Sequence, residues 1–209
     1  MRRIAAECIF AGVPVLTAGS LILQPRDCSG PIDPGQLVGT LRELGVIGAA
    51  WPPRRHAYLV GERFLELITF MGCSPHIELA PPAGGGDFCH VIVHEYPAPR
   101  LLTGTNTRPP RCPACRMVTA LRPADLAGAP AGQVLACNHC AATLRLSELL
   151  WRRDGGFGRV FVEVLSVFPG EAVPLDSLLQ RLADATRCAW DYFYLTAPGG
   201  SGGEIHALG

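Results

Sequence analysis

Two short cysteine pairs constrain this chain more than any other feature. Cys112-Pro113-Ala114-Cys115 and Cys137-Asn138-His139-Cys140 are separated by twenty-one residues. A CxxC pair folds into a tight knuckle that aims two sulfurs at one point, and the connecting loop brings the second knuckle opposite the first. Four thiolates at one point make a closed tetrahedral site for Zn²⁺. With no coordination position left for water or substrate, such a site builds structure and performs no chemistry. His139 lies between two of the sulfurs and reads as an outward-pointing side chain, because one knuckle does not present three adjacent ligands to one ion. The competing readings are two redox dithiols or two disulfides. Neither pair sits in the strand-to-helix context of a redox dithiol, so the sequence favours one structural zinc held by Cys112, Cys115, Cys137 and Cys140.

This spacing resembles the zinc-ribbon superfamily over residues 108–145, about a fifth of the chain. The resemblance implies the ligand role of the four cysteines and a small β-hairpin module around them. Arg116 and Ala141 stand where many ribbons carry glycine after the second cysteine of a knuckle. Zinc ribbons serve transcription, translation, enzymes and assembly factors alike, so the module does not identify a function.

The chain has 209 residues, 48% of them apolar, with a mean hydropathy of +0.23; that excludes general disorder and suits one core plus a small module. Formal net charge is zero, so no global field draws it to nucleic acid. Locally the balance differs. Residues 100–159 hold nine arginines against Asp125, Glu148 and Asp154, and the remainder of the chain is acidic by the same margin. Part of that charge neutralises a zinc–thiolate core; the rest is a candidate docking face for an acidic protein or nucleic acid. Met1-Arg2-Arg3 and the apolar stretch to Ala18 have the outline of a secretory leader, but Glu7 and Pro14 interrupt it. A thiolate zinc site in a chain with nine cysteines also suits a reducing compartment, so the expectation is cytoplasmic. No uninterrupted apolar run is long enough to span a membrane.

Read in order, Ile4 to Leu23 predicts two short strands. Asp33-Pro34 caps a helix whose Leu37, Val38, Leu41 and Leu44 share a face before Gly45 ends it. Tyr58 to Met71 predicts two strands or a bulge at Gly61, and residues 76–79 a short strand. Phe88 to Tyr96 alternates, with Cys89, Val91 and Val93 on one face and His90, Ile92 and His94 on the other. Residues 97–110, with four prolines, read as a linker. Residues 144–152 suggest a short helix. Val160, Val162 and Val164 share one face of a strand, Leu175, Leu178, Leu179 and Leu182 mark an amphipathic helix, and Tyr192 to Tyr194 lie on a last strand. The pattern predicts an α+β fold: a mixed, largely antiparallel sheet with two or three helices and an inserted four-cysteine zinc-ribbon module. The expected organisation is a discontinuous domain of residues 1–100 and 155–197, a ribbon insertion at 108–145, and a flexible tail at 198–209.

A second constellation is Cys73, His76, Cys89, His90 and His94. Cys73 and His76 with either Cys89, or His90 and His94, offer a catalytic metal site with an open position; alternatively Cys73 is a thiolate nucleophile with a histidine base, His76 or His90, oriented by Glu66 or Glu78. The plainer reading is buried cysteines and partly exposed strand histidines. Glu163, between Phe161 and Leu165 on one strand face, reads as a carboxylate poised in a pocket or, the plainer reading, one paired with an arginine. Two functions from different classes follow. One is a binding or assembly protein whose zinc-stiffened module docks on a protein partner, a second copy or a nucleic acid, using Arg108, Arg111, Arg116 and Arg122. The other is an enzyme of metal-assisted or thiol-dependent hydrolysis or transfer centred on Cys73, His76 and His90.

Overall fold

The structure, a computed structural model, describes residues 19–26, 31–71, 77–126, 129–130 and 132–196. The N-terminal stretch, Cys73, His76, and the tail from residue 197 onward, with Ile205 and His206, lie outside the described residues. The architecture is α+β. A six-stranded sheet runs in the order β10-β1-β8-β5-β3-β2, built from β1 (Gly19–Arg26), β2 (Ile47–Ala50), β3 (Ala57–Val60), β5 (His90–Thr103), β8 (Gly155–Val167) and β10 (Ala189–Thr196). Every pairing in it is antiparallel. Two short ribbons accompany it: β4 (Ile68–Phe70) with β9 (Ala172–Pro174), and β6 (Val134–Ala136) with β7 (Thr143–Arg145).

Alternation along the strands sorts the side chains onto two faces. On one, Leu21, Leu23, Val91, Val93, Val160, Val162 and Val164 form a single core with Leu37 and Leu41 of α1 (Pro34–Glu43), Phe64 and Leu67 of α2 (Phe64–Leu67), and Leu178 and Leu182 of α3 (Asp176–Thr186). Each of these buried aliphatic side chains contributes about 1.5–3 kcal/mol by leaving water. The helix start at Asp33 forms as its sequence predicts: the carboxylate accepts from the Gly35 N–H at 2.9 Å and Pro34 opens the first turn. Gly45, at φ 76°, ends it in a conformation that side chains with a Cβ rarely adopt. The opposite face carries Ile22, Leu102, Phe161, Phe193 and Leu195, with Ile92 and Leu165 beside them.

Several local expectations change. Tyr58 to Met71 holds two strands, β3 and β4, as one of the expected alternatives had it, but the single helical turn α2 separates them and they belong to different sheets. No strand forms at residues 77–79; the Glu78 carbonyl instead accepts from the Cys89 N–H at 2.7 Å. Residues 97–103 are not a linker but the second half of β5. Pairing passes from Glu95 opposite Val160 to Arg100 opposite Gly158, so three extra residues bulge out of β5. Pro97 and Pro99 fall inside that bulge, where a missing N–H removes no ladder bond. Beyond it, the Asn106 amide donates to the Tyr194 carbonyl and accepts from the Thr196 N–H, capping edge strand β10. Residues 143–148 form β7 and a turn of 3₁₀ helix in place of a longer helix. Among the described residues no helix is long and apolar enough to cross a membrane.

Candidate metal centre

The segment between β5 and β8 folds around the four cysteines. Each knuckle is built by the same pair of backbone hydrogen bonds. In the first, the Arg116 N–H donates to the Cys112 carbonyl at 2.9 Å and the Cys112 N–H to the Met117 carbonyl at 3.0 Å. In the second, the Ala141 N–H donates to the Cys137 carbonyl at 2.9 Å and the Cys137 N–H to the Ala142 carbonyl at 2.9 Å. Both turns close through a left-handed residue, Arg116 at φ 63° and Ala141 at φ 57°. The positions where many ribbons use glycine thus keep the glycine-type conformation, at a cost of roughly 1–2 kcal/mol each.

All four sulfurs lie within 4.8 Å of one another. Cys112 Sγ is 3.9 Å from Cys140 Sγ, and Cys115 Sγ is 3.8 Å from Cys137 Sγ. Those separations are too long for S–S bonds, and the four thiols are free. A regular tetrahedron of sulfurs at the usual Zn–S distance has edges of about 3.8 Å. The donor set therefore fits a zinc-sized, thiophilic ion. The electrostatics agree. The His139 N–H points at Cys137 Sγ from 3.4 Å, and this backbone donor, with that of Cys140, holds the Cys137 thiol down at about 6. At Cys115 the Met117 N–H pulls the same way but is outweighed by burial and the other three sulfurs, which push the thiol up to about 12. Without a cation among them, four sulfurs this close resist ionising together; a divalent ion removes that conflict.

The centre sits in a small core of its own. Leu126, Leu144, Leu146 and Leu149 are buried with Cys112 and Cys137, and Leu101, Trp151 and Phe157 join them from the sheet side. Arg111 bridges the first knuckle to the exit of the segment, exchanging backbone hydrogen bonds with Leu150 at 2.9 and 3.0 Å. His139 points outward, its Nε2 3.1 Å from the Val118 carbonyl. Of the arginines expected to dock a partner, Arg108 is paired with Asp154, and Arg122 with Asp125. Arg111 donates to the Arg116 carbonyl at 2.9 Å, and Arg116 is exposed.

The second constellation does not assemble among the described residues, since Cys73 and His76 lie outside them. Cys89 and His90 face opposite sides of the sheet, as alternation requires. Cys89 is fully buried in the helix-side core, where burial pushes its thiol up to about 12 and leaves it unreactive at neutral pH. His90 is packed between Trp51 and Phe88, with Nδ1 2.9 Å from the Phe88 carbonyl. Burial lowers its pKa, so the ring is neutral at pH 7. Glu66 is engaged with Arg63 at the surface. Glu163 pairs not with an arginine but with His94 and Ser20. His94 Nε2 lies 2.6 Å from one carboxylate oxygen, and the Ser20 hydroxyl donates to the other at 2.6 Å. Strand parity grouped His94 with His90 and Ile92, and Glu163 with Phe161 and Leu165; that the two strands are neighbours was not readable from the sequence.

No protein family, curated protein or solved structure matches the chain.

Proposed function

We propose that Cys112, Cys115, Cys137 and Cys140 hold one structural Zn²⁺, and that residues 108–145 behave as an inserted unit through which this protein docks on an acidic partner. The observation that carries the metal assignment is the match between the sulfur separations and the edges of a tetrahedral thiolate site. Four protein ligands leave nothing open, so the ion acts as a staple for a segment whose own core is small.

Docking is supported by what the unit exposes. Met117, Val118 and Val134 are exposed at 50%, 40% and 61%, unusual for apolar side chains of an otherwise well-buried set. Around them stand Arg111, Arg116 and Arg145, none within ion-pair distance of a carboxylate among the described residues, while the acids of the segment are engaged locally: Asp125 with Arg122, Asp154 with Arg108, and Glu148 with the Arg145 N–H. The free positive charge is thus left for a partner.

Elemental analysis of the purified protein tests the metal: one zinc per chain is expected, lost in Cys112→Ser and Cys137→Ser. A metal-free chain with four rapidly alkylated cysteines and an unchanged fold would overturn the reading. For docking, affinity-captured partners should bind less tightly as salt rises and when Met117, Val134 and Arg116 are replaced together; binding indifferent to these changes refutes the surface. Nucleic acid and a second copy of this chain are the other occupants that the same assay distinguishes.

A further inference from the structure

Apart from the metal centre and the docking surface, a cleft of about 970 Å³ opens where two neighbouring strands part. β1 pairs with β8 only as far as Leu23 opposite Val162. Beyond that point β1 stays with β10, out to Arg26 opposite Ala189, and β8 stays with β5, out to Gly155 opposite Thr103. The two strand ends therefore diverge, and Trp151, Arg152 and Arg153, on the chain leaving the four-cysteine segment, border the gap. Gln24 reaches from β1 to β8 along its wall, where a Cβ on Gly156 would collide with Gln24 Oε1. The volume falls within the range of about 300–1,000 Å³ usual for small-molecule sites.

Three kinds of group line it. Tyr96, Trp151 and Phe157 bring partly exposed rings. Of the four lining arginines, Arg26 is paired with Asp191, whereas Arg152, Arg153 and Arg159 are exposed with no carboxylate within ion-pair distance among the described residues. Neighbours hold two of these three: the Arg153 guanidinium lies 4.3 Å from the Tyr192 ring centre and donates to its hydroxyl, and Arg159 Nε donates to the Tyr96 carbonyl at 3.4 Å. The third kind is polar without a partner. Gln24 Oε1 and Trp151 Nε1 are buried with no hydrogen bond among the described residues, and Glu95 is exposed with no cation within ion-pair distance. Glu148 also lines the cleft and accepts from the Arg145 N–H, so four arginines against three acids leave the lining positive.

We propose that this cleft binds a mononucleotide: a flat heteroaromatic base joined through a sugar to a phosphate monoester. The phosphate, carrying a charge of about −1.5 to −2 at pH 7, answers guanidiniums that no carboxylate of the protein neutralises, and the planar fork of arginine suits its oxygens. The rings of Tyr96, Trp151 and Phe157 hold a base by its face. Glu95, an acceptor with no cation of its own, takes hydrogen bonds from the sugar hydroxyls. A bare anion leaves the rings and Glu95 unused, and an uncharged ring leaves the three guanidiniums unbalanced.

The test follows the three indole N–H resonances of the whole purified chain by nitrogen-15 NMR. Trp151→Phe assigns the one in the cleft; Trp51 and Trp190, the latter bonded to the Thr186 hydroxyl, are internal references. AMP should move the Trp151 resonance saturably and leave the other two in place. Adenosine and inorganic phosphate, added separately, should each bind roughly tenfold or more weakly than AMP. Arg152→Gln and Arg159→Gln, at exposed positions, should each weaken AMP about tenfold, and Arg55→Gln, outside the cleft, should not. Phosphate binding as tightly as AMP would make the cleft an anion site only and overturn the nucleotide assignment; adenosine binding as tightly would overturn the role of the arginines. No saturable shift with AMP, GMP or UMP, or equal movement of all three indoles, refutes the proposal outright.

Discussion

The helix-covered sheet and the four-cysteine segment solve the same problem by different means. Among the described residues, the first buries twenty-two in one continuous core, from Leu21 on β1 to Tyr194 on β10. The second buries six, two of which are cysteines. Apolar area holds the first together; the second is small for that, and a metal among its sulfurs is the proposed cross-link. On that proposal, stability is carried by area in one region and by coordination in the other. The two meet where Leu101, Trp151 and Phe157 pack under the segment.

Removing the metal should break that comparison most sharply. Chelation at neutral pH is expected to release hydrogen-exchange protection throughout residues 111–150 while β1, β5 and β8 stay protected, because structural zinc supplies on the order of 10 kcal/mol to small modules and nothing to a sheet that does not touch it. Loss of protection across the sheet as well would show the two regions to be one cooperative unit. The converse experiment is a cavity in the large core. Leu182→Ala, at a fully buried position of α3, should cost about 2–5 kcal/mol in denaturant unfolding and leave zinc stoichiometry untouched.

The next effect is one of pH. Burial lowers the His90 pKa, so the folded chain keeps this ring neutral while the unfolded chain binds a proton as pH falls through the ordinary histidine range. The stability so contributed is full above that range and is lost as pH drops from about 6.5 toward the lower folded value. Urea midpoints measured from pH 7.5 to 5 should fall less in His90→Phe than in the parent chain. An identical slope in the two would remove His90 from the acid response. The smallest change concerns the knuckles. Ala141→Gly, at φ 57°, should raise the stability of the metal-loaded segment by about 1 kcal/mol or less, since relief of the left-handed strain is offset by glycine's greater freedom when unfolded. A loss instead would mean that the Ala141 methyl group packs usefully.

Legibility in the sequence followed the range of the interaction. The α1 cap at Asp33-Pro34, the alternation of Cys89 to His94 and the valine face of β8 are contacts within a few residues, and each formed as its pattern predicts. The continuation of β5 through Pro97 and Pro99 was hidden because proline reads as an interruption; only the β8 partner shows that the prolines sit in a bulge. Glu163 was misassigned for a related reason. Arginine is the commoner mate of a carboxylate, and nothing within a few residues of Glu163 says that β1 and β5 flank it with Ser20 and His94.

Spacing and periodicity were enough to specify four convergent sulfurs, the two main helices, the faces of the central strands and an α+β class, because these follow from local geometry and from which side chains avoid water. Which strands became neighbours, how the knuckles turned without glycine, and whether a carboxylate met a guanidinium or an imidazole all waited on contacts between distant residues, such as Ser20 and Glu163, 143 positions apart. Such contacts are chosen by the free energy of the assembled sheet, and no stretch of chain carries that quantity alone.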